Sequence, residues 1–213
     1  MLSKTKSASG GKTGIPIIIS APSGAGKTTL IKLLVKKVRE LSYSVSATTR
    51  PPFPSEKDGK DYFFISEEEF LQRKKLNEFI ETALVHGHHY GTLKKQLDEK
   101  LKAGKDIVLD VDVMGAFNVK KHYPNSLLIF IAPPSMKILE ERIRKRHRDS
   151  EEDIQRRLKN ARKEMGRRKF YDYIIINASL NRAFSELKKI VKHNCSCPPV
   201  AKKGWYYCKN YEL

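Results

Sequence analysis

Residues Ala21-Pro-Ser-Gly-Ala-Gly-Lys-Thr28 constrain the fold more than any other stretch of the chain. They keep the spacing G-x-x-x-x-G-K-[ST], with Ala21 at the first glycine position. The flanks matter as much. Ile15 to Ser20 is a short β-branched apolar run suited to a buried parallel strand. Downstream, Leu30, Leu33, Leu34, Val38 and Leu41 recur at helical spacing and predict a helix from Gly26 to about Leu41, its apolar side on a sheet. Strand, glycine-bearing turn and helix in this order begin a βαβ unit.

The chemistry of phosphate binding explains the pattern. Gly24 and Gly26 let backbone N–H groups curl around phosphates without Cβ clashes. The following helix adds the partial positive charge of its N-terminus. Lys27 neutralises β- and γ-phosphate oxygens, and the Thr28 hydroxyl reaches Mg²⁺. A chance glycine-rich turn would lack the strand before and the amphipathic helix after. The segment therefore reads as a P-loop, which specifies a nucleoside triphosphate but not what receives its phosphoryl group.

Further strands are legible at Ile107 to Val111, Leu127 to Ile131 and Tyr173 to Ile176. Helical patterns separate them: Ile154, Leu158, Ala161 and Met165 mark one, and Phe184, Leu187, Ile190 and Val191 mark the last. The alternation predicts an α/β fold of the P-loop NTPase type, a parallel β-sheet flanked by helices. Residues 46–92 break the rhythm with Pro51, Pro52, Pro54, a turn at Asp58-Gly59, the run Tyr62-Phe63-Phe64 and a helix near Glu67 to Lys75. They read as an inserted lobe. A second insertion, Arg146 to Arg157, is almost wholly charged and is expected to be mobile when nothing is bound.

A chain of 213 residues is enough for one such domain with small insertions. We expect a basic disordered tail over 1–14, a domain over 15–194 (core 15–45 and 93–194), and a tail over 195–213. No apolar run approaches the roughly 20 residues that cross a bilayer, and the N-terminal residues lack the apolar stretch of a secretory signal. Cys195, Cys197 and Cys208 are too sparse for a zinc site without a fourth ligand, a part only His193 could take, and they read as thiols on a loose tail. They suit a reducing cytoplasm, and we expect the protein there. The net charge of +18 raises the question of nucleic acid. It is scattered, however, with Lys32, Lys36, Lys37 and Arg39 on one predicted helix, Arg142 to Arg148 on another and Arg162 to Lys169 on a third. No specific nucleic-acid binding is expected.

The downstream motifs are Ser44-Val-Ser-Ala-Thr-Thr-Arg50, Gly59-Lys-Asp-Tyr-Phe-Phe64, Glu78-Phe-Ile-Glu81, Tyr90-Gly-Thr92, Asp110-Val-Asp112, Ile131-Ala-Pro-Pro-Ser135 and Tyr171-Asp-Tyr-Ile-Ile-Ile-Asn177. In this order and spacing, over roughly Ile15 to His193, the chain resembles the guanylate kinase family. The resemblance implies an enzyme that moves the γ-phosphoryl group of ATP to GMP, with dGMP as a further acceptor and the preference between the two left open. Ala21, Pro22, Ser23, Gly24, Ala25, Gly26, Lys27, Thr28 and Thr29 would hold ATP with Mg²⁺, and Asn177 would lie beside adenine. Residues 46–92 become a GMP-binding lobe, in which Glu81 accepts guanine N1–H and N2–H while Ser46 and Thr92 meet O6 and N2. Adenine would leave those buried groups unpaired, at about 1–3 kcal/mol each. Arg50, Tyr62 and Tyr90 would bind the GMP phosphate. Glu56 and Asp112 would orient arginines, water or Mg²⁺. Residues 146–157 become a lid whose Arg146 and Arg157, joined by Arg142, act on the ATP phosphates.

One position departs from the family pattern. Phe53 stands where a second phosphate-binding arginine is expected, and Ser55 where a glycine is. A lost charge-assisted contact weakens binding by about 1.5–3 kcal/mol, which implies a raised KM for GMP and not inactivity. Two other readings stay open: a different nucleoside monophosphate kinase, against which Glu81 and Ser46 argue, and a catalytically silent protein-binding module, against which the intact P-loop argues.

Overall fold

A computed structural model describes residues 13–85, 87–145 and 150–196. At its centre is strand β1 (Pro16–Ser20), buried along its whole length. Successive side chains of a strand face opposite ways, and β1 therefore feeds two cores. Ile17 and Ile19 pack with Leu30 and Leu34 of helix α1 (Lys27–Lys37) and with Leu187 and Val191 of the last helix. Ile18 packs on the other face with Leu97, Leu101, Val113 and Val119. Helices on both faces are what an all-parallel sheet requires.

The remaining elements follow in chain order as β2 (Leu41–Tyr43), β3 (Ala47–Thr48), β4 (Phe63–Phe64), α2 (Glu67–Lys75), β5 (Phe79–Val85), β6 (His88–Leu93) and α3 (Lys94–Lys102). After these come β7 (Asp106–Asp110), α4 (Val113–His122), β8 (Leu127–Ala132), α5 (Met136–Arg144), α6 (Glu151–Gly166), β9 (Tyr173–Ile176) and α7 (Leu180–Ser196). The main sheet has the order β2-β7-β1-β8-β9, and every pairing in it is parallel. A second sheet, β4-β3-β6-β5, is built from residues of the inserted stretch and is mostly antiparallel.

Several sequence expectations change. Helix α1 stops at Lys37, and Val38 is already extended. Leu41 pairs with Asp106 as the first residue of an edge strand, so its helical spacing from Val38 is coincidental. The predicted helix through Arg142 to Arg148 ends at Arg144, with residues 146–149 outside the described part. Residues 151–157 of the charged stretch, read from the sequence as an insertion, are the first turns of α6. Ser150 caps that helix by accepting from the Asp153 N–H at 3.2 Å, and Ile154 packs with Leu139 and Ile143. A single apolar residue per turn is enough where it meets a partner helix. Likewise α7 runs through Cys195, which packs against the core and does not begin a loose tail. Cys197, Cys208 and the rest of 197–213 lie outside the described residues, as does the expected tail up to residue 12.

Candidate active site

The P-loop runs from the end of β1 into α1, at the carboxyl end of the parallel strands, where open α/β sheets bind their ligands. Gly26 caps α1 with φ of 91°, and an added Cβ would meet the Asn177 Nδ2 at 2.5 Å. Only glycine fits both the backbone and the space. Asn177 donates to the Ala25 carbonyl at 2.8 Å, and Arg142 donates to the Asn177 carbonyl at 2.8 Å. Both residues thus stand behind the loop. Neither is among the residues that line the cavity in front of it.

That cavity has a volume of about 890 Å³. Ala21, Pro22, Ser23, Gly24, Gly26, Lys27, Thr28 and Thr29 form one wall, while Ala25 is fully buried behind it. Ser46, Tyr62, Glu81 and Tyr90 form the opposite wall. The sequence candidates of both nucleotide sites therefore share one space. Arg157 closes a third side and reaches the Ser23 hydroxyl across the cavity at 3.4 Å. Arg146 lies outside the described residues.

The lobe wall is tightly built. Glu81 is 7% exposed, and its Oε1 accepts from the Thr92 hydroxyl at 2.6 Å. Its Oε2 lies where a Cβ on Gly115 of α4 would come within 2.8 Å, so the helix can approach this closely only with glycine there. Burial, reinforced by the nearby Asp112, pushes the Glu81 carboxyl up to about 7 despite the Thr92 hydrogen bond. Asp112 caps α4, accepting from the Gly115 N–H at 2.6 Å. Arg50 and Glu56 stand beside the cavity and outside its lining. One guanidinium nitrogen reaches both Glu56 oxygens at 2.8 Å. The Arg50 guanidinium also lies 4.3 Å from the Phe53 ring centroid and 5.5 Å from that of Tyr62. Phe53 is 59% exposed and covers Arg50 from outside.

Asp110, Asn160, Glu164 and Tyr43 line the cavity and were not among the sequence candidates. Asp110 pairs with Lys27 at 2.5 Å, and Lys27 also donates to the Val111 carbonyl at 3.0 Å. The signal was its place at the end of a parallel strand. Asn160 and Glu164 extend from Arg157 at helical spacing, a polar stripe beside the apolar stripe of Ile154, Leu158, Ala161 and Met165. Burial and Asp112 push the Glu164 carboxyl up to about 7. Tyr43, the fourth, ends β2.

Among the described residues no group of three or more His, Cys, Asp or Glu side chains could hold a metal ion. What the cavity offers a hard cation is oxygen: the exposed Thr28 hydroxyl and the Asp110 carboxylate. That set suits Mg²⁺ carried largely by phosphate and water. No helix among the described residues is long and apolar enough to cross a membrane.

Comparison with known proteins agrees with this geometry. The family model described as guanylate kinase matches residues 13–194. The guanylate kinase of Thermotoga maritima is 50% identical over 175 residues, which are 82% of this chain and 84% of that protein. The guanylate kinase of Caldanaerobacter subterraneus subsp. tengcongensis is 46% identical over 180 residues, 84% of this chain and 87% of that one. The crystal structure of guanylate kinase from Anaplasma phagocytophilum superposes with a TM-score of 0.72 at 32% identity, covering 89% of this chain and 91% of its own.

Proposed function

The chain belongs to the guanylate kinase family, and from that premise we propose that it transfers the γ-phosphoryl group of ATP to GMP, giving ADP and GDP, in the cavity between the P-loop and β5–β6. The observation that carries this reading is the single cavity in which Lys27 and the P-loop face the buried Glu81 carboxylate.

The acceptor is a phosphate oxygen already anionic near pH 7, so no general base is needed. Catalysis rests on in-line placement and on neutralising charge that spreads over the transferred group. Lys27 exchanges its Asp110 partner for β- and γ-phosphate oxygens, while Asp110 and the Val111 carbonyl hold it extended until then. Arg157 adds positive charge from α6, already within reach of Ser23. At the other wall Glu81 accepts from guanine N1–H and N2–H, with Thr92 fixing the carboxylate and Ser46 beside it. Arg50, steadied by Glu56, and the Tyr62 and Tyr90 hydroxyls take the GMP phosphate. A divalent cation, which we read as Mg²⁺, would rest on Thr28 and supply charge neutralisation between the phosphates. Exclusion of water from the occupied cavity prevents transfer to water.

Lys27→Ala tests the reading directly. Its Nζ contacts are with Asp110 and Val111 at the cavity, so the melting temperature should shift by only a few degrees. Turnover of GMP should fall by at least about a hundredfold, the scale of one lost charge stabilising a transition state. A variant that keeps most of its turnover would remove Lys27, and with it this mechanism, from consideration.

A further inference from the structure

Tyr43 closes strand β2, in register with Val108 of β7, at the carboxyl end of the main sheet. Its backbone carbonyl accepts from Lys100 at 2.9 Å, and its side chain packs against the core of Ile17 and Ile19. The residue is thereby held from behind while its far end lines the cavity. Groups from both sites bear on that end. Asp110, the partner of Lys27, acts on it from the P-loop side. Tyr62 and Asp61 act on it from the lobe, where Tyr62 meets the Tyr90 ring at 5.8 Å and the Arg50 guanidinium at 5.5 Å. Burial first, and then Asp110, holds the phenol well above its ordinary titration range, so it is a neutral donor at working pH.

A neutral O–H in the cavity shared by Lys27, which serves one phosphate, and by Tyr62 and Tyr90, which serve another, has a phosphate oxygen as its partner. We propose that Tyr43 is a substrate-binding residue of this enzyme, donating its hydroxyl to the oxygen of the GMP phosphate that faces the P-loop. The inference rests on the assignment of Arg50, Tyr62 and Tyr90 to the acceptor phosphate. It adds a third tyrosine, contributed by the main sheet and not by the lobe. A neutral donor suits this place because Asp110 and Asp61 are near: it binds an anion without adding a charge that those carboxylates would capture.

Tyr43→Phe removes the oxygen and leaves the ring in its packing. Dissociation constants of the full-length protein would be measured by calorimetry for GMP and for guanosine, which has the base and ribose but no phosphate. GMP should weaken roughly tenfold, the size of one hydrogen bond to a charged oxygen. Guanosine should be unchanged within about twofold, and so should the KM for ATP. Equal weakening of GMP and guanosine would make Tyr43 a structural support and overturn the proposal, as would an unchanged GMP affinity. Tyr62→Phe separates this from failure of the underlying assignment. If Tyr62→Phe selectively weakens GMP and Tyr43→Phe does not, only the Tyr43 inference falls. If neither variant discriminates GMP from guanosine, the acceptor-phosphate site itself is misplaced.

Discussion

Glu81 joins recognition to pH. On the proposed reading its carboxylate must be ionised to accept two guanine N–H groups, yet burial first and then Asp112 hold it at about 7. Below that value GMP has to expel a proton; above it the pocket is ready. The KM for GMP should therefore fall as pH rises from about 6 to 8 and then level off, with Glu164→Gln retaining that profile. A KM flat across this window would show that Glu81 does not titrate there or does not touch the base. The same elevation works against stability. Between the ordinary carboxylate value and about 7 the folded chain holds a proton that the unfolded chain releases, so stability declines as pH rises through that interval. At this scale the P-loop, Ser46, Tyr62, Glu81 and Tyr90 were legible, because each carries a chemical group that a nucleotide needs. Tyr43 and Asp110 were not singled out, since an aromatic at a strand end and an acid closing an apolar run look like packing and punctuation. Asn177 and Arg142 were legible as residues of the P-loop's surroundings, but their bonds to the loop backbone were not.

Elements decide what those residues can reach. The P-loop is backed by β9 and α5, through the Asn177 amide on the Ala25 carbonyl and the Arg142 guanidinium on the Asn177 carbonyl. Asn177→Ala would strip the buried Ala25 carbonyl of its partner. A loss of about 1–3 kcal/mol in stability is expected, with the KM for ATP rising severalfold and that for GMP changing less. Denaturant unfolding and two KM measurements check this, and an unchanged KM for ATP would show that the loop keeps its shape unaided. Helix α2 was legible to its ends because Ser66 and its acidic first turn mark the start and Arg73 to Lys75 the finish. The start of α6 was obscured by charge. Ser150, the acidic residues after it and the Arg144 fork onto Glu151 at 2.5 and 2.8 Å show why a charged segment is helical here.

The whole molecule was legible where strands are continuous apolar runs, which is why β1, β7, β8 and β9 and the parallel sheet could be read directly. The lobe's own sheet was not. Its β3 and β4 have two residues each, too short for any periodicity, and β5 and β6 mix polar binding groups with packing groups. What the sequence carried for that region was chemistry, in Glu81 and the tyrosines, and the structure supplies the strands that hold it. The central claim is that both walls of one cavity serve one reaction. The measurement that tests it most directly is ADP release from Mg-ATP in the presence of GMP, dGMP, AMP, UMP or dTMP. Turnover confined to GMP and dGMP is the predicted result. Turnover with any other monophosphate, or none with GMP while ATP still binds, would contradict the account.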